Sequence, residues 1–163
     1  MIDKEALFRL LDEKGIEYER YDHIPVFTVE EADQIVMPDY MDDTKNLLLH
    51  DSKGKQYYMV ILDAHKSLNV NELKKTLGAK KLSFASADDL MRLTGLIPGS
   101  VTPFGVLNDE GHEIITIFDA PLEKAKKLGA HPNLNDCTIL VAVSDIAMLI
   151  REAGGEVRFV ELP

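Results

Sequence analysis

The chain has 163 residues, of which 45% are hydrophobic and 28% charged, a composition that excludes a disordered chain and favours a folded protein. This length fits one domain with its own apolar core, so we expect a single domain over residues 1–163. No apolar run approaches the length of a membrane span, and the amphipathic start, MIDKEALFRL, is typical of neither a secretory signal nor a transit peptide. We therefore expect a soluble, cytoplasmic protein.

The content of cysteine and histidine argues against a metal site. Cys137 is the only cysteine, which excludes an internal disulfide framework and a cysteine-rich zinc site. A small buried core residue is its favoured interpretation. The histidines share no spacing typical of metal ligands, and we expect neither a metal nor another cofactor.

Charge is distributed unevenly along the chain. The net charge of −10 argues against general nucleic-acid binding, because phosphates require cations. Residues 44–81, however, hold eight lysines and three acidic residues, which leaves ten basic and 25 acidic residues elsewhere. This asymmetry favours a basic face for one specific anionic partner, although a solvated lysine-rich surface without a partner explains it equally well. Besides Lys45, the lysines concerned are Lys53, Lys55, Lys66, Lys74, Lys75, Lys80 and Lys81.

The first part of the chain predicts two helices around a strand. Asp3 can cap a first helix with apolar residues at helical spacing, and Gly15 can end it. A short strand over 16–21 follows. Thr28 and Glu31 have the spacing of a capping box and predict a second, short helix, after which residues 37–43 form a loop.

The clearest element is a β-hairpin over residues 46–62. Its two apolar runs, NLLLH and QYYMVIL, flank a DSKGK turn. The next patterns predict a helix between Asn69 and Gly78, a strand over 81–86 and a helix ending at Gly95.

The last part of the chain contains a second candidate hairpin. PFGVLNDEGHEIITIF, residues 103–118, has a turn signal at 108–111. A buried strand over 137–143, a capped helix over 144–155 and a final strand over 156–162 follow. Hairpins mixed with helices favour an α+β domain with a mixed sheet. The sequence contains no nucleotide-binding, zinc-protease or nucleophile-elbow motif, which argues against the common dehydrogenases and hydrolases.

Three short stretches place polar or conformationally special residues beside apolar strands. Lys45 and Asn46 open the first hairpin strand, where a lysine suits a phosphate and an asparagine can both donate and accept hydrogen bonds. The loop 95–105, GLIPGSVTPFG, could expose backbone amides to an anion or a carbonyl group. In GAHPNLNDCT, residues 129–138, His131 could orient a water or bind a carbonyl group. Each stretch alone has an ordinary structural explanation: a solvent-exposed strand end, a connecting loop and a structural histidine.

Taken together, TKNLLL, GSVTPFG and HPNLNDCT resemble, in this order and spacing, the YbaK/ProRS-associated aminoacyl-tRNA editing superfamily. The resemblance spans essentially the whole chain and is greatest to its stand-alone prolyl-tRNA deacylases of the ProXp-ala (PrdX) type. The VTPFG and HP signatures favour the alanine-specific branch over the cysteinyl-specific one. The resemblance implies one α+β domain with a mixed, curled sheet, a partial barrel flanked by helices, and a metal-free site that hydrolyses alanine mischarged onto tRNA(Pro).

Site residues follow from the resemblance by position. Lys45, Asn46 and His131 are the implied catalytic residues. Lys45 would hold a phosphate or ribose of the terminal adenosine, Asn46 and the amides of residues 100–102 the ester carbonyl, and His131 the substrate amine. The implied substrate-binding residues are Gly99, Ser100, Val101, Thr102, Pro103 and Asn135, and Ile35, Val36 and Leu47 are candidates for a size limit that excludes proline.

The lysines of residues 53–81 are the implied tRNA contacts. The expected partner is mischarged tRNA(Pro), with a prolyl-tRNA synthetase or an elongation factor as further candidates and neither membrane nor DNA. Two alternatives stay open. The same fold could remove another mischarged amino acid, such as cysteine or serine, or the chain could be a non-catalytic module that binds an aminoacyl or nucleotide end.

Overall fold

The structure is a computed structural model that describes residues 1–124 and 127–163, without the side chain of Val29. Its helices are α1 (Lys4–Glu13), α2 (Val29–Asp33), α3 (Val70–Leu77), α4 (Ala87–Thr94) and α5 (Val143–Glu152), with 3₁₀ helices at Pro103–Asn108 and Ala120–Lys124. Its strands are β1 (Glu19–Asp22), β2 (Met41–Asp42), β3 (Thr44–Asp51), β4 (Gln56–Asp63), β5 (Leu82–Phe84), β6 (Ile114–Asp119), β7 (Lys127–Ala130), β8 (Cys137–Val141) and β9 (Glu156–Val160). No helix in the described ranges has the length and apolar character to cross a bilayer.

The strands form two mixed sheets. One has five strands in the order β5-β3-β4-β6-β9, and the other has four in the order β1-β8-β7-β2. Strands β3 and β4 form the predicted hairpin and pair antiparallel along their whole length, whereas β6 runs parallel to both β4 and β9. The α+β architecture with mixed pairing is therefore as predicted.

Strand β4 is buried on both faces, and this separates the core into two parts. Because side chains alternate along a strand, Tyr57, Met59 and Ile61 face one core while Tyr58, Val60 and Leu62 face the other. The larger core joins this face to the four-stranded sheet and to α1, α4 and α5. The smaller core lies under α3 and the C-terminal segment.

Side-chain caps begin four of the helices, three of them at the residue that the sequence predicts. The side chains of Asp3, Thr28, Asn69 and Ser86 each accept a backbone N–H of the first turn. The last helix differs from its prediction. It begins at Val143, with Ala142 at the cap position and no side-chain cap, so burial of its apolar face stabilises it instead.

The single curled sheet implied by the family resemblance is not found. The described residues form two separate sheets, and neither of them closes into a barrel. The predicted strand over 16–21 is displaced to Glu19–Asp22, where it pairs with β8. Within the predicted loop 37–43, Met41 and Asp42 form the short strand β2 against β7, and β7 itself was not predicted.

The second predicted hairpin is also wrong. Thr102 caps a 3₁₀ helix that begins at Pro103, so the apolar run before the turn is helical. The Asp109 carboxylate then accepts the N–H groups of Glu113 and Ile114 and turns the chain into β6. Since the run before the turn is not a strand, β6 has no hairpin partner there and pairs instead with two strands distant in the chain, β4 and β9.

One buried carboxylate organises the far end of the first hairpin. Asp51 is 4% exposed, and its carboxylate accepts backbone N–H groups from Lys53, Gly54, Lys80 and Lys81. These hydrogen bonds, that of Gly54 foremost, hold the pKa of Asp51 at about 2. The hairpin turn and the segment before β5 are therefore joined through one side chain.

Replacement of Asp51 by asparagine should lower the free energy of unfolding at pH 7 by about 1–3 kcal/mol, because an amide offers one acceptor oxygen instead of two. The folded-state pKa lies below the ordinary value of 3.8, so the stabilisation is present above that value and is lost as the pH falls toward 2. Urea unfolding at pH 7 and pH 3 measures both effects. Asp39→Asn, which changes an exposed carboxylate, is the control. A wild-type advantage over Asp51→Asn that is as large at pH 3 as at pH 7 would contradict this assignment.

Candidate active site

A cavity of about 120 Å³ opens where the start of β3 meets the four-stranded sheet. Its volume is well below the roughly 300–1,000 Å³ of sites that enclose drug-sized ligands, so it suits a small chemical group. Side chains from α2, β3, β8 and the loops around residues 26, 101 and 131 converge on it. The lining consists of His23, Val26, Thr28, Ala32, Ile35, Met37, Met41, Asp43, Thr44, Lys45, Asn46, Val101, Gly129, Ala130, His131 and Thr138.

His131 is held at both its backbone and its ring. Its carbonyl oxygen accepts the Thr102 hydroxyl at 2.6 Å, and its ring Nδ1 lies 2.9 Å from the Cys137 carbonyl oxygen. Because a carbonyl can only accept, Nδ1 carries the proton and the Nε2 lone pair of the neutral ring is free to accept a hydrogen bond. Burial, assisted by the nearby His23, lowers the pKa of His131 below 6.5, although the Cys137 carbonyl partly opposes the shift. The ring is therefore neutral at pH 7.

A second histidine, which the sequence did not single out, lies beside the first. His23 donates from Nδ1 to the Ile24 carbonyl, and its Nε2 is 2.7 Å from the Thr138 hydroxyl. The rings of His23 and His131 are 6.1 Å apart between centroids in an edge-on arrangement. His23 comes just after β1 and is placed by the pairing of β1 with β8, a contact that local sequence does not reveal.

Asn46 connects β3 to the glycine-proline loop. Its Nδ2 donates to the Val101 carbonyl at 3.2 Å, whereas its Oδ1 is buried and has no hydrogen-bond partner among the described residues. Thr44, two residues earlier on the same face of β3, also has a buried hydroxyl oxygen without a partner in that set. Lys45 lies between them and lines the cavity, and the structure gives its ammonium no ion pair with a described residue.

The loop 99–103 is positioned by contacts with two other loops. Gly99 has φ +85°, and a Cβ there would lie 2.8 Å from the Phe27 carbonyl oxygen, so a side chain at this position would be strained and crowded. Ser100 is buried, and its N–H is used by the Ile97 carbonyl. Among the described contacts, the N–H groups of Gly99, Val101 and Thr102 have no acceptor, and of these three residues only Val101 lines the cavity.

The remaining predicted substrate-binding residues separate into lining and supporting positions. Ile35 lines the cavity. Pro103 is buried at the start of the 3₁₀ helix, and Asn135 donates to the Val26 carbonyl at 2.8 Å, so both shape the loops around the cavity rather than line it. Leu47 packs against the smaller core, and Val36 is 93% exposed. The structure brings neither Leu47 nor Val36 to the cavity.

Most of the predicted tRNA-contact lysines lie at the other end of β3. Asp51 joins the backbones of the hairpin turn and the segment before β5, and α3 leads directly into that segment. Asp51 lies six residue steps along the strand from Lys45, a distance of about 20 Å. We call this group the lysine cluster: Lys53, Lys55, Lys74, Lys75, Lys80 and Lys81. None of the cluster's lysines lines the cavity, so the lysines do not form a single basic face around the site.

Lys66 does not belong to the lysine cluster. Its ammonium is 2.7 Å from a carboxylate oxygen of the buried Asp119 and 3.0 Å from the Leu162 carbonyl oxygen. Asp119 ends β6 and also accepts the Leu162 N–H. The Lys66 side chain therefore neutralises a buried charge and secures the C-terminal segment.

The residues that form the cavity match a known protein family. Residues 23–149 match the model of the aminoacyl-tRNA editing domain, a span that contains the entire lining of the cavity. The chain belongs to that family, which confirms the resemblance read from the three sequence motifs. The observed helices and strands bear out the α+β fold, although not its single curled sheet.

Particular relatives cover nearly the whole chain. It is 37% identical to the prolyl-tRNA editing protein ProX of Acetoanaerobium sticklandii over 98% of this chain and 97% of the relative. It is 30% identical to the prolyl-tRNA synthetase associated domain-containing protein 1 of Bos taurus over 91% of this chain and 89% of the relative.

Solved structures show the same fold. The crystal structure of the hypothetical protein APE2540 superimposes with a TM-score of 0.73 at 21% identity and covers 94% of this chain and 97% of that one. A candidate trans-editing enzyme for prolyl tRNA synthetase superimposes with a TM-score of 0.72 at 18% identity, covering 98% and 97%.

The His131 ring should titrate with a midpoint below 6.5 in a pH series of NMR spectra, with its signals assigned by their loss in His131→Asn. Because the unfolded chain takes up this proton more readily than the folded one, the free energy of unfolding should fall as the pH is lowered through about 6.5. Urea unfolding of the wild type and His131→Asn between pH 5 and 8 measures this contribution. A midpoint at or above 6.5 would show that the ring is not buried as described.

Proposed function

We propose that the protein is a trans-editing deacylase that hydrolyses alanine from mischarged tRNA(Pro). The observation that carries the proposal is the convergence of Lys45, Asn46, Val101 and a neutral His131 on one small cavity. The 37% identity to a prolyl-tRNA editing protein supports the choice of tRNA, and the VTPFG and HP signatures support alanine as the amino acid removed. Deacylation of aminoacyl-tRNA is the activity that membership of the editing family implies, and the geometry of the cavity is compatible with it.

The chemistry requires no nucleophilic side chain. An aminoacyl ester is already activated, so water can attack its carbonyl carbon once both are held in place. The bond between that carbon and the ribose oxygen then breaks, the ribose oxygen takes a proton, and alanine and free tRNA leave. The requirements are an oriented water and donors for the developing oxyanion.

The cavity offers residues for each requirement. The Val101 N–H, which has no acceptor among the described residues, is a donor for the oxyanion. The free Nε2 of His131 accepts a hydrogen bond from the attacking water, or from a ribose hydroxyl that orients it. Lys45 binds a phosphate or ribose oxygen of the terminal adenosine as a point charge. The hydrogen bond from Asn46 to the Val101 carbonyl holds the loop and so positions the Val101 N–H.

Size provides one basis for selectivity. A cavity of about 120 Å³ accepts a methyl group more easily than a pyrrolidine ring, and excluding the larger substrate is the usual second sieve of editing. Ile35 lies in the lining, and Met41 packs on Gly129, where a Cβ would lie 2.6 Å from the Met41 sulfur. A side chain at position 129 would therefore displace Met41 from the wall.

The first experiment measures ester loss from Ala-tRNA(Pro), Pro-tRNA(Pro), Ala-tRNA(Ala) and Cys-tRNA(Pro). We expect hydrolysis of Ala-tRNA(Pro) with Pro-tRNA(Pro) spared, and a loss of about 100-fold or more in Lys45→Ala. Lys124→Ala, which removes an exposed lysine outside the cavity, should match the wild type. Preference for Cys-tRNA(Pro) would change the assigned amino acid, and binding of aminoacyl-tRNA without turnover would favour the binding-module alternative.

Two variants of His131 separate a chemical role from a structural one. In His131→Asn the amide nitrogen can still donate to the Cys137 carbonyl, but nothing replaces Nε2, whereas His131→Ala loses both. If Nε2 orients the water, both variants should lose about 100-fold in rate while the asparagine variant keeps more of its stability. Recovery of activity in the asparagine variant would show that the ring only supports the loop.

The lysine cluster is proposed to contact the acceptor stem. A separation of about 20 Å from the cavity suits a partner whose aminoacyl end enters the cavity while phosphates further along the RNA reach the lysines. The concentration of lysine in residues 44–81 then has a physical reason, because the rest of the chain is strongly acidic.

Replacing both Lys80 and Lys81 by alanine should lower kcat/KM on full-length Ala-tRNA(Pro) and make kcat/KM less dependent on salt concentration. Each lost phosphate contact lowers the slope of the logarithmic salt plot by about 1. Activity on 3′-alanyl-adenosine, which is too short to reach the lysine cluster, should not change. Equal slopes for the wild type and Lys80→Ala/Lys81→Ala would remove the lysine cluster from the binding surface.

A further inference from the structure

His23 and Thr138 form a hydrogen-bonded pair in the wall of the cavity, beside His131. Thr138 lies on β8, and both members of the pair line the cavity. Pairing of β1 with β8 places Tyr21 opposite Thr138, and the His23 N–H donates to the Asp136 carbonyl at 3.0 Å. The backbone therefore brings the two side chains together.

A backbone carbonyl decides which atom of this pair donates. His23 Nδ1 is 2.8 Å from the Ile24 carbonyl oxygen, so in the neutral ring the proton lies on Nδ1 and Nε2 is an acceptor. The 2.7 Å contact between His23 Nε2 and Thr138 Oγ1 is then a hydrogen bond that the hydroxyl donates. A hydroxyl has one proton, so the Thr138 oxygen can only accept from a ligand while that proton is bound by His23.

His131 gives the cavity a second acceptor of the same kind. The Cys137 carbonyl holds the proton of the His131 ring on Nδ1 and leaves Nε2 as an acceptor. Because Cys137 and Thr138 are consecutive residues of β8, one strand fixes both acceptors. A cavity of about 120 Å³ thus contains two acceptors, neither of which has a proton to donate to a ligand.

The number of donors that a ligand offers decides which group suits this pair of acceptors. A ribose hydroxyl has one proton and can satisfy one acceptor, whereas a water has two and can satisfy both. A water that donates both protons keeps its lone pairs on the opposite side of its oxygen, where they are free to attack a carbonyl carbon. Two hydrogen bonds would therefore orient the water for attack.

We propose that His131 Nε2 and Thr138 Oγ1 together hold the attacking water, and that His23 is a positioning residue that keeps the Thr138 oxygen an acceptor. This inference rests on the proposed function and deepens it, because it selects the water over the ribose hydroxyl as the partner of His131. Val101, whose N–H is the proposed oxyanion donor, lines the same cavity, so the water and the ester carbonyl can meet there.

The positions of the ring protons can be measured without substrate. Long-range ¹H–¹⁵N NMR spectra at pH 8 should show both rings protonated at Nδ1 and unprotonated at Nε2. The signals are assigned by their loss in His23→Asn and His131→Asn. A His23 ring protonated at Nε2 would release the Thr138 proton for donation and would overturn the proposal.

Substitutions of Thr138 test the water site on Ala-tRNA(Pro). Thr138→Val, which has nearly the same shape, removes the acceptor and should lower kcat about 10- to 100-fold. KM should change little, because the water does not hold the substrate. Thr138→Ser retains the hydroxyl and should retain most of the rate. Both variants should bind the alanyl amide of 3′-amino-3′-deoxyadenosine, which resists hydrolysis, as tightly as the wild type.

Substitutions of His23 test whether it acts through Thr138. In His23→Gln the side-chain oxygen can reach the position of Nε2 and accept the hydroxyl, whereas asparagine is shorter and replaces only Nδ1. His23→Asn should therefore lose about 10-fold in kcat, and His23→Gln should retain most of it. In the Thr138→Val background His23→Asn should cause no further loss. Losses that multiply would overturn the positioning role.

Thr116→Val and His65→Asn make the same substitutions outside the cavity, and these controls should behave as wild type. Full activity of Thr138→Val on Ala-tRNA(Pro) would overturn the water site and leave the proposed function standing. Weaker binding of the alanyl analogue by that variant would show that the Thr138 oxygen holds the substrate rather than a water, which also overturns the site. A wild-type protein that hydrolyses no aminoacyl-tRNA would overturn the proposed function and the water site with it.

Discussion

The burial of β4 on both faces is the constraint on which the site depends. A strand that contributes side chains to two cores cannot slip by one residue without exchanging every one of them between the cores. Since β3 pairs with β4 along its whole length, the register of β3 is set as well. Thr44 and Asn46 therefore project to the side of the larger core, where the four-stranded sheet leaves a cavity.

The other wall of the cavity is set by hydrogen bonds rather than by strand pairing. Thr102 joins the glycine-proline loop to His131, Cys137 fixes the imidazole ring, and Asn135 ties the same region to the loop at Val26. Because these contacts use the backbone carbonyls and Nδ1, they leave Nε2 and the Val101 N–H free to face a ligand. A rigid support with a few unpaired groups is the arrangement that binding and catalysis require.

The separation of charge along β3 has a consequence for function. Lys45 and Asp43 lie at the cavity, whereas the lysine cluster lies at the far end of the strand, around the buried Asp51. One strand thus links a site for a small chemical group with a surface for a polyanion. Asp51 is essential to this arrangement because it brings together two segments that are about 30 residues apart.

The sequence by itself determined the elements that local chemistry controls. Asp3, Thr28 and Asn69 cap helices where their spacing predicts, and the apolar runs around DSKGK form the hairpin. Its motifs also identified the family. The run PFGVL was predicted to be a strand of a hairpin, but an apolar run of that length suits a strand and a helix equally. The Thr102 cap and the burial of Phe104 decide for the helix.

Only the tertiary structure decided which side chains share the cavity. His23 and Asp43 carry no local signal, since their positions result from the pairing of β1 with β8 and of β3 with β4. The tertiary structure also shows that Leu47 and Lys66 lie outside the candidate site, because strand alternation turns Leu47 to the smaller core and Asp119 binds Lys66. Local pattern specifies what a residue can do, but long-range pairing specifies what it faces.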